Sequence, residues 1–281
     1  MRIQILSENR TNHTECMAEH GLAVYIETDE KTLVFDMGGS QLYLDNADKL
    51  KIDLTQADAA VISHGHYDHT GGIPSFCKLN KNAPIYIHKE AFGATYGMED
   101  GKLDEESCGI RWTEEEKKML QGRLILTEGP LWLTNDIVIS GTIPKTDVFT
   151  PTEQFYIKGQ DGELRPDEMN HEQFLAIRLK GDRETGRGIF IFSGCSHTGV
   201  IPCISYAKEL FPGEKILGLL AGMHLYHTKG DDLNQILDQI AAEEMEYVIP
   251  VHCTGMEGIC GLKLRLGSRC IPAGVGDQLI F

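Results

Sequence analysis

The chain lacks any long apolar run: nothing in its 281 residues approaches the ~18–20 of a membrane-spanning helix, so no membrane partner is expected. It also lacks a Lys/Arg cluster, and 42 acidic residues outweigh 26 basic ones for a formal charge of −16. Such a field repels polyanions unless a local basic patch overrides it, so no nucleic-acid partner is expected either. The opening MRIQILSENR has no basic region followed by an apolar one, as an export signal would. Eight cysteines are scattered without a CxxC pair, and no Pro/Ser-rich linker divides the chain. These absences predict a reduced, cytoplasmic protein folded as one domain over residues 1–281. Hydrophobic residues at 41% and charged ones at 24% supply an ordinary globular core.

What is present is one dense stretch. Ser63-His64-Gly65-His66-Tyr67-Asp68-His69-Thr70-Gly71-Gly72 follows the apolar run Ala59-Ala60-Val61-Ile62. His64 and His66, two apart at a strand end, can point the same way and share one ion. After the chain turns, Asp68 and His69 project toward a second position. Neutral imidazole and carboxylate are what zinc, manganese or ferrous iron accept at about 2.0–2.2 Å.

The rest of the chain reads as α/β. Strands are expected at Arg2 to Leu6, Leu22 to Glu27, Thr32 to Phe35, Ile85 to His88, Leu124 to Thr127, Ile137 to Ser140, Gln154 to Ile157, Phe174 to Leu179, Gly188 to Phe192, Ile216 to Ala221, Tyr247 to Val251 and Gln278 to Phe281. A turn over residues 181–186 separates two of them. Helices are expected at 42–50, from Gly72 toward Leu79, at 114–120, 201–211, 233–244 and 259–266. Residues 89–121 are irregular and acidic, and read as an insertion or lid beside the site. Asp36, in the turn Asp36-Met37-Gly38-Gly39, is a candidate partner for a ligand histidine or a simple turn cap. The strand Gly188 to Phe192 also breaks into a Gly turn, hinting at two similar halves.

Further histidines follow apolar strands, where α/β folds gather their chemistry: His197, His224 and His252. Ligand counting asks for one more donor at each metal position, and His197 and His252 are preferred. His171 competes for the first position. Cys195 is either a thiolate ligand, which would favour zinc, or a small buried apolar side chain. His88 reads as packed, His20 as a rim residue, and His13 and His227 have no such placement.

With these residues in view, the chain resembles the metallo-β-lactamase fold superfamily, whose signature is a His-x-His-x-Asp-His run after a strand. Thr32 to Gly38 is similar to its first motif, His64 to His69 to its second and Val251-His252 to its last. Ala18-Glu19-His20-Gly21-Leu22, Gly194-Cys195-Ser196-His197-Thr198-Gly199, Gly222-Met223-His224-Leu225 and His252-Cys253-Thr254-Gly255 resemble a narrower branch, which includes archaeal-type dihydropterin synthases that make a pterin-ribofuranosylaminobenzene phosphate conjugate. The resemblance implies a four-layer αβ/βα sandwich with a dinuclear site at one edge of two packed sheets. It implies one ion on His64, His66 and a third histidine, and another on Asp68, His69 and His252. Where many members carry Gly-Asp, supplying a bridging carboxylate, this chain has Gly194-Cys195. The superfamily pattern would make His171 the third histidine, whereas the narrower branch favours His197.

The expected function is therefore that of an enzyme using two divalent ions, zinc first with iron or manganese as alternatives. Its substrate would be small and phosphorylated, an ester or a lactone, and the branch adds pterin transfer with pyrophosphate release. Asp68 would orient or deprotonate water, and His224, off the metals, would act as a general acid or contact substrate. The alternatives are a metallonuclease or phosphodiesterase, and a non-catalytic metabolite-binding or redox module. Oligomeric state is not legible.

Overall fold

The computed structural model describes residues 1–99, 102–146, 151, 153–159, 161–181 and 187–281. The turn expected over 181–186 lies, from Asp182 to Gly186, outside the described residues. Two large sheets dominate. A seven-stranded sheet runs in spatial order through Gln278–Ile280, Arg2–Ser7, Ala23–Glu27, Thr32–Phe35, Ala59–Val61, Ile85–His88 and Leu124–Thr127. A six-stranded sheet runs through Leu131–Trp132, Ile137–Ile139, Leu175–Leu179, Gly188–Ser193, Ile216–Ala221 and Tyr247–Pro250.

The layers follow from side-chain alternation. In Thr32–Phe35, Leu33 and Phe35 point between the sheets while Val34 points to the helical side. In Gly188–Ser193, Phe190 and Phe192 face inward and Ile189 and Ile191 outward. Both faces are covered, which explains why this strand is continuously apolar. Phe35 and Phe192 meet across the sheets with ring centroids 6.2 Å apart. Each is fully buried, and each contributes about 1.5–3 kcal/mol by leaving water. Helices Leu42–Lys49 and Ile73–Leu79 cover the first sheet, and Val200–Leu210, Gly230–Ala242 and Gly255–Leu266 the second. The result is the expected four-layer αβ/βα sandwich.

Only part of each sheet is parallel. Thr32–Phe35, Ala59–Val61, Ile85–His88 and Leu124–Thr127 run together, as do Gly188–Ser193, Ile216–Ala221 and Tyr247–Pro250. Their C-terminal ends deliver Asp36, Ser63, Cys195, His224 and His252 to one edge of the sandwich, the usual place for chemistry in sheets of this type.

Some expectations need correction. The helix expected from Ile259 begins at Gly255, because its first turn carries few buried apolar residues and so no periodic signal. Gly255 has φ +70°, and a Cβ there would come within 2.9 Å of the Tyr226 ring. The strand expected at Gln154 to Ile157 is Tyr156–Lys158, the centre of a small sheet with Thr95–Tyr96 and Leu164–Pro166. These strands escaped notice because they are short and lack a continuous buried face.

Residues 89–121 contribute to that small sheet, to the pair Met98–Glu99 and Lys102–Leu103, and to helix Glu114–Met119, opened by a Thr113/Glu116 capping box. The segment is tied to the histidine loop. Tyr67 N–H donates to Cys108 O at 2.9 Å, and the buried Trp112 indole donates to Thr70 O at 2.9 Å. Gly65 is required by the same contact, since a Cβ there would lie 2.1 Å from Ala91 O.

Candidate metal centre

Four residues at the strand ends adopt left-handed backbone conformations: Asp36 (φ 56°), Ser196 (φ 54°), His224 (φ 48°) and His252 (φ 51°). Such geometry costs roughly 1–3 kcal/mol per non-glycine residue and persists where surrounding contacts over-determine it. Buried groups supply such contacts, the Cys253 sulfur accepting from His224 N–H at 3.2 Å and carboxylates acting in two other loops. Glu8 accepts from His252 N–H at 2.8 Å, while Glu172 accepts from the backbone N–H groups of His197 at 2.7 Å and Thr198 at 2.8 Å.

The first group of side chains is His64, His66 and His197. His64 Nε2 and His197 Nε2 are 3.3 Å apart, and the His66 ring lies 4.5 Å from His64 and 4.8 Å from His197 between centroids. His66 Nε2 and His197 Nδ1 are buried without a hydrogen-bond partner among the described residues. His171 is held differently. Its Nδ1 accepts from Gly65 N–H at 3.2 Å and its Nε2 faces Asp167 Oδ2 at 3.4 Å, so both nitrogens are engaged beside the group.

The second group is Asp68, His69 and His252. Asp68 Oδ2 stands 3.6 Å from His69 Nε2 and 3.1 Å from His252 Nε2, the latter off the line of a hydrogen bond. Asp36, the candidate partner of a ligand histidine, lies 2.6 Å from His69 Nδ1. It also accepts from Ser63 Oγ at 2.7 Å, and Ser63 Oγ sits 2.9 Å from His64 Nδ1. One carboxylate thereby favours N–H at Nδ1 of both His64 and His69 and turns their Nε2 atoms into the site, where His69 would give up a proton to a metal.

Cys195 is where the groups meet. Its sulfur is within 4.8 Å of the donor atoms of His64 and His197, and likewise of His69 and His252. It lies 3.2 Å from His69 Nε2. His224 stands to one side, its ring 4.3 Å from His197 and its Nε2 2.6 Å from Glu153 Oε2. Phe155 closes the wall above, 4.8 Å from His66 and 4.9 Å from His197 between ring centroids. His20 reaches Asp68 Oδ2 at 3.2 Å from the rim. His88 is packed, 2.9 Å from Thr142 Oγ1.

The electrostatics suit cation binding. Burial, reinforced by neighbouring imidazoles, holds His64 and His197 well below the ordinary histidine range. Burial brings His66 down to about 3 against the pull of Asp68. These rings are therefore neutral at pH 7, as ligation requires. For Asp68, burial favours the neutral acid, but His69, His20 and His252 outweigh it and hold the carboxylate ionised. Burial also opposes charge on His224, yet Cys253 and Glu153 push it up to about 10. The unpartnered buried nitrogens, neutral imidazoles and ionised carboxylate fit a divalent ion.

Glu8, Asn9, Glu153, Phe155, Asp167, Glu172 and Cys253 escaped the sequence reading as site residues. Glu8 and Asn9 follow the strand Arg2–Ser7, so the strand-end rule that marked the histidines would have marked them too. Glu172 predicts a measurable effect. In Glu172→Gln one carboxylate oxygen becomes an N–H donor facing backbone donors, and His197 loses its clip. Metal affinity should fall about 10–100-fold, as on losing an outer partner of a metal site, measured by competition with a chelating dye.

The chain is 32% identical over 263 residues to an uncharacterized protein of Methanocaldococcus jannaschii, covering 93% of each. It is 26% identical to the 7,8-dihydropterin-6-methyl-4-(beta-D-ribofuranosyl)-aminobenzene-5'-phosphate synthase of that organism, over 92% of this chain and 88% of that one. A crystal structure described as a metal-dependent hydrolase of the beta-lactamase superfamily superposes with a TM-score of 0.82 at 26% identity, covering 100% of this chain and 99% of that one. The family model of the metallo-beta-lactamase superfamily matches residues 17–214, and this chain belongs to that superfamily.

Proposed function

We propose that the protein is a dinuclear metal-dependent hydrolase of a small ester, lactone or phosphorylated substrate. His64, His66 and His197 would hold one ion and Asp68, His69 and His252 the other; burial pushes the Cys195 thiol well up, so its sulfur would give up a proton only on joining a metal. The observation that carries this reading is that the Cys195 sulfur lies within 4.8 Å of the donor atoms of His64 and His197 and likewise of His69 and His252. A sulfur donor favours zinc over iron or manganese. When bound, the ions would polarise a substrate oxygen and lower the pKa of water. Asp68 orients the attacking water, and the His224–Glu153 pair presents a proton beside the leaving group. Phe155 walls the cleft over His66 and His197. The charge of −16 speaks for a small-molecule substrate and against a nuclease.

A second reading is supported by the likeness to the pterin-conjugate synthase over 92% of the chain. In it the same residues assist departure of pyrophosphate as an aromatic ring attacks. One experiment separates the two. Zinc-loaded protein is given reduced pterin methyl diphosphate with and without the ribofuranosylaminobenzene phosphate, alongside an ester and lactone panel. Zinc-dependent turnover of esters or lactones, or water-dependent cleavage of the diphosphate alone, supports hydrolysis. Pyrophosphate release only with the second substrate supports transfer. Tight metabolite binding without turnover in any arm overturns both in favour of a binding module.

A further inference from the structure

Asn9 touches two histidines at once, and in opposite senses. Its Oδ1 lies 2.8 Å from His252 Nδ1, and its Nδ2 lies 3.3 Å from His20 Nδ1 and 2.6 Å from Tyr226 Oη. The orientation of the carboxamide is not arbitrary. Gly21 N–H points at Asn9 Oδ1 from 3.4 Å, and a backbone N–H can face only the oxygen. With oxygen toward His252 and nitrogen toward His20, the amide accepts from one ring and donates to the other. The amide oxygen calls for a proton on His252 Nδ1, and the amide nitrogen calls for an unprotonated His20 Nδ1.

We propose that Asn9 is a positioning residue that assigns opposite tautomers to the two histidines flanking Asp68. His252 carries its proton at Nδ1, donating to Asn9 Oδ1, and turns the Nε2 lone pair toward Asp68 Oδ2 and the ion. His20 receives Asn9 Nδ2–H at its Nδ1 and carries its proton at Nε2, donating to Asp68 Oδ2 at 3.2 Å. His20 thus stands within ligand reach of Asp68 and His252, yet is an N–H donor and not a ligand. The ring centroids of His20 and His252 are 4.8 Å apart, and the one amide touches both. This deepens the dinuclear reading by naming what keeps His20 an N–H donor to Asp68 at the rim of the second position.

The test is long-range proton–nitrogen correlation of the imidazole rings in uniformly ¹⁵N-labelled protein, metal-free and zinc-loaded, with signals assigned through His20→Gln and His252→Gln. Wild-type spectra should show His252 protonated at Nδ1 and His20 protonated at Nε2 with an unprotonated Nδ1. Asn9→Asp keeps the acceptor for His252 but replaces the donor to His20 by an acceptor, so His20 should gain N–H at Nδ1 while His252 is unchanged. Asn9→Ala should lower zinc affinity about 10–100-fold by freeing His252. A wild-type His20 protonated at Nδ1, or a His20 ring indifferent to Asn9→Asp, overturns the proposal, and the wild-type spectrum decides even if a variant fails to fold. Failure of zinc to bind the wild-type protein would instead sink the metal reading, with the tautomers still legible in the metal-free spectrum.

Discussion

His197→Ala should release most of the metal held with His64 and His66 and lower turnover about a thousand-fold, a loss of roughly 4 kcal/mol in transition-state stabilisation. His171→Ala should behave differently. His171 sits beside the same rings, but its two nitrogens are engaged with Gly65 and Asp167. Its removal leaves the buried Gly65 N–H unpaired, while Asp167 Oδ2 keeps Thr95 Oγ1 at 3.2 Å; stability should fall by about 1–3 kcal/mol while metal content stays near wild type. Metal analysis of both variants, purified without chelator, separates the assignments. Loss of metal in His171→Ala with retention in His197→Ala would reverse them.

Metal-free protein should unfold readily in mild acid. His66 titrates at about 3 in the fold because burial opposes its charge, whereas an unfolded histidine titrates near 6.5. As pH falls through 6.5 the unfolded chain takes up a proton that the folded one refuses. Stability is therefore full above that value and lost progressively down to about 3, by as much as ~5 kcal/mol for His66 alone. His64 and His197, shifted the same way by burial, add to the loss. His69 acts in the opposite sense. Burial lowers it, but Asp68 and Asp36 carry it up to about 9, so its contribution of about 3 kcal/mol is present below 6.5 and lost as pH rises through 9. The melting temperature of chelator-treated protein should thus peak near neutrality, with the steeper fall on the acid side. An unchanged melting temperature between pH 7 and pH 4 would show that these rings are not buried neutral.

The individual strands and helices were legible because local patterns carried them, whereas the four-layer arrangement came from the family resemblance. Apolar strands, the periodic helix Gly230–Ala242 and the His-x-His-x-Asp-His run each announce themselves within a dozen residues. The strands least visible were those without a covered face, such as Leu164–Pro166, where no pattern exists to read. Within the site, the strand-end rule pointed to His197, His224 and His252; applied only to histidines it left out Glu8 and Asn9, and Glu153 and Glu172 have residue types common on any surface.

By itself the sequence determined that ligand-type side chains lie tightly spaced after a buried strand, and that others follow later strands, because residue type and spacing along the chain are local properties. Tertiary structure alone decided which of those side chains share a centre. His197 meets His64 across 133 positions of chain, His252 meets Asn9 across 243, and Cys195 falls where both groups converge. Such pairings depend on parallel strands from two sheets ending at one edge, with buried carboxylates holding the loops in left-handed turns. No local spacing encodes that geometry, because it exists only when the sheets pack face to face.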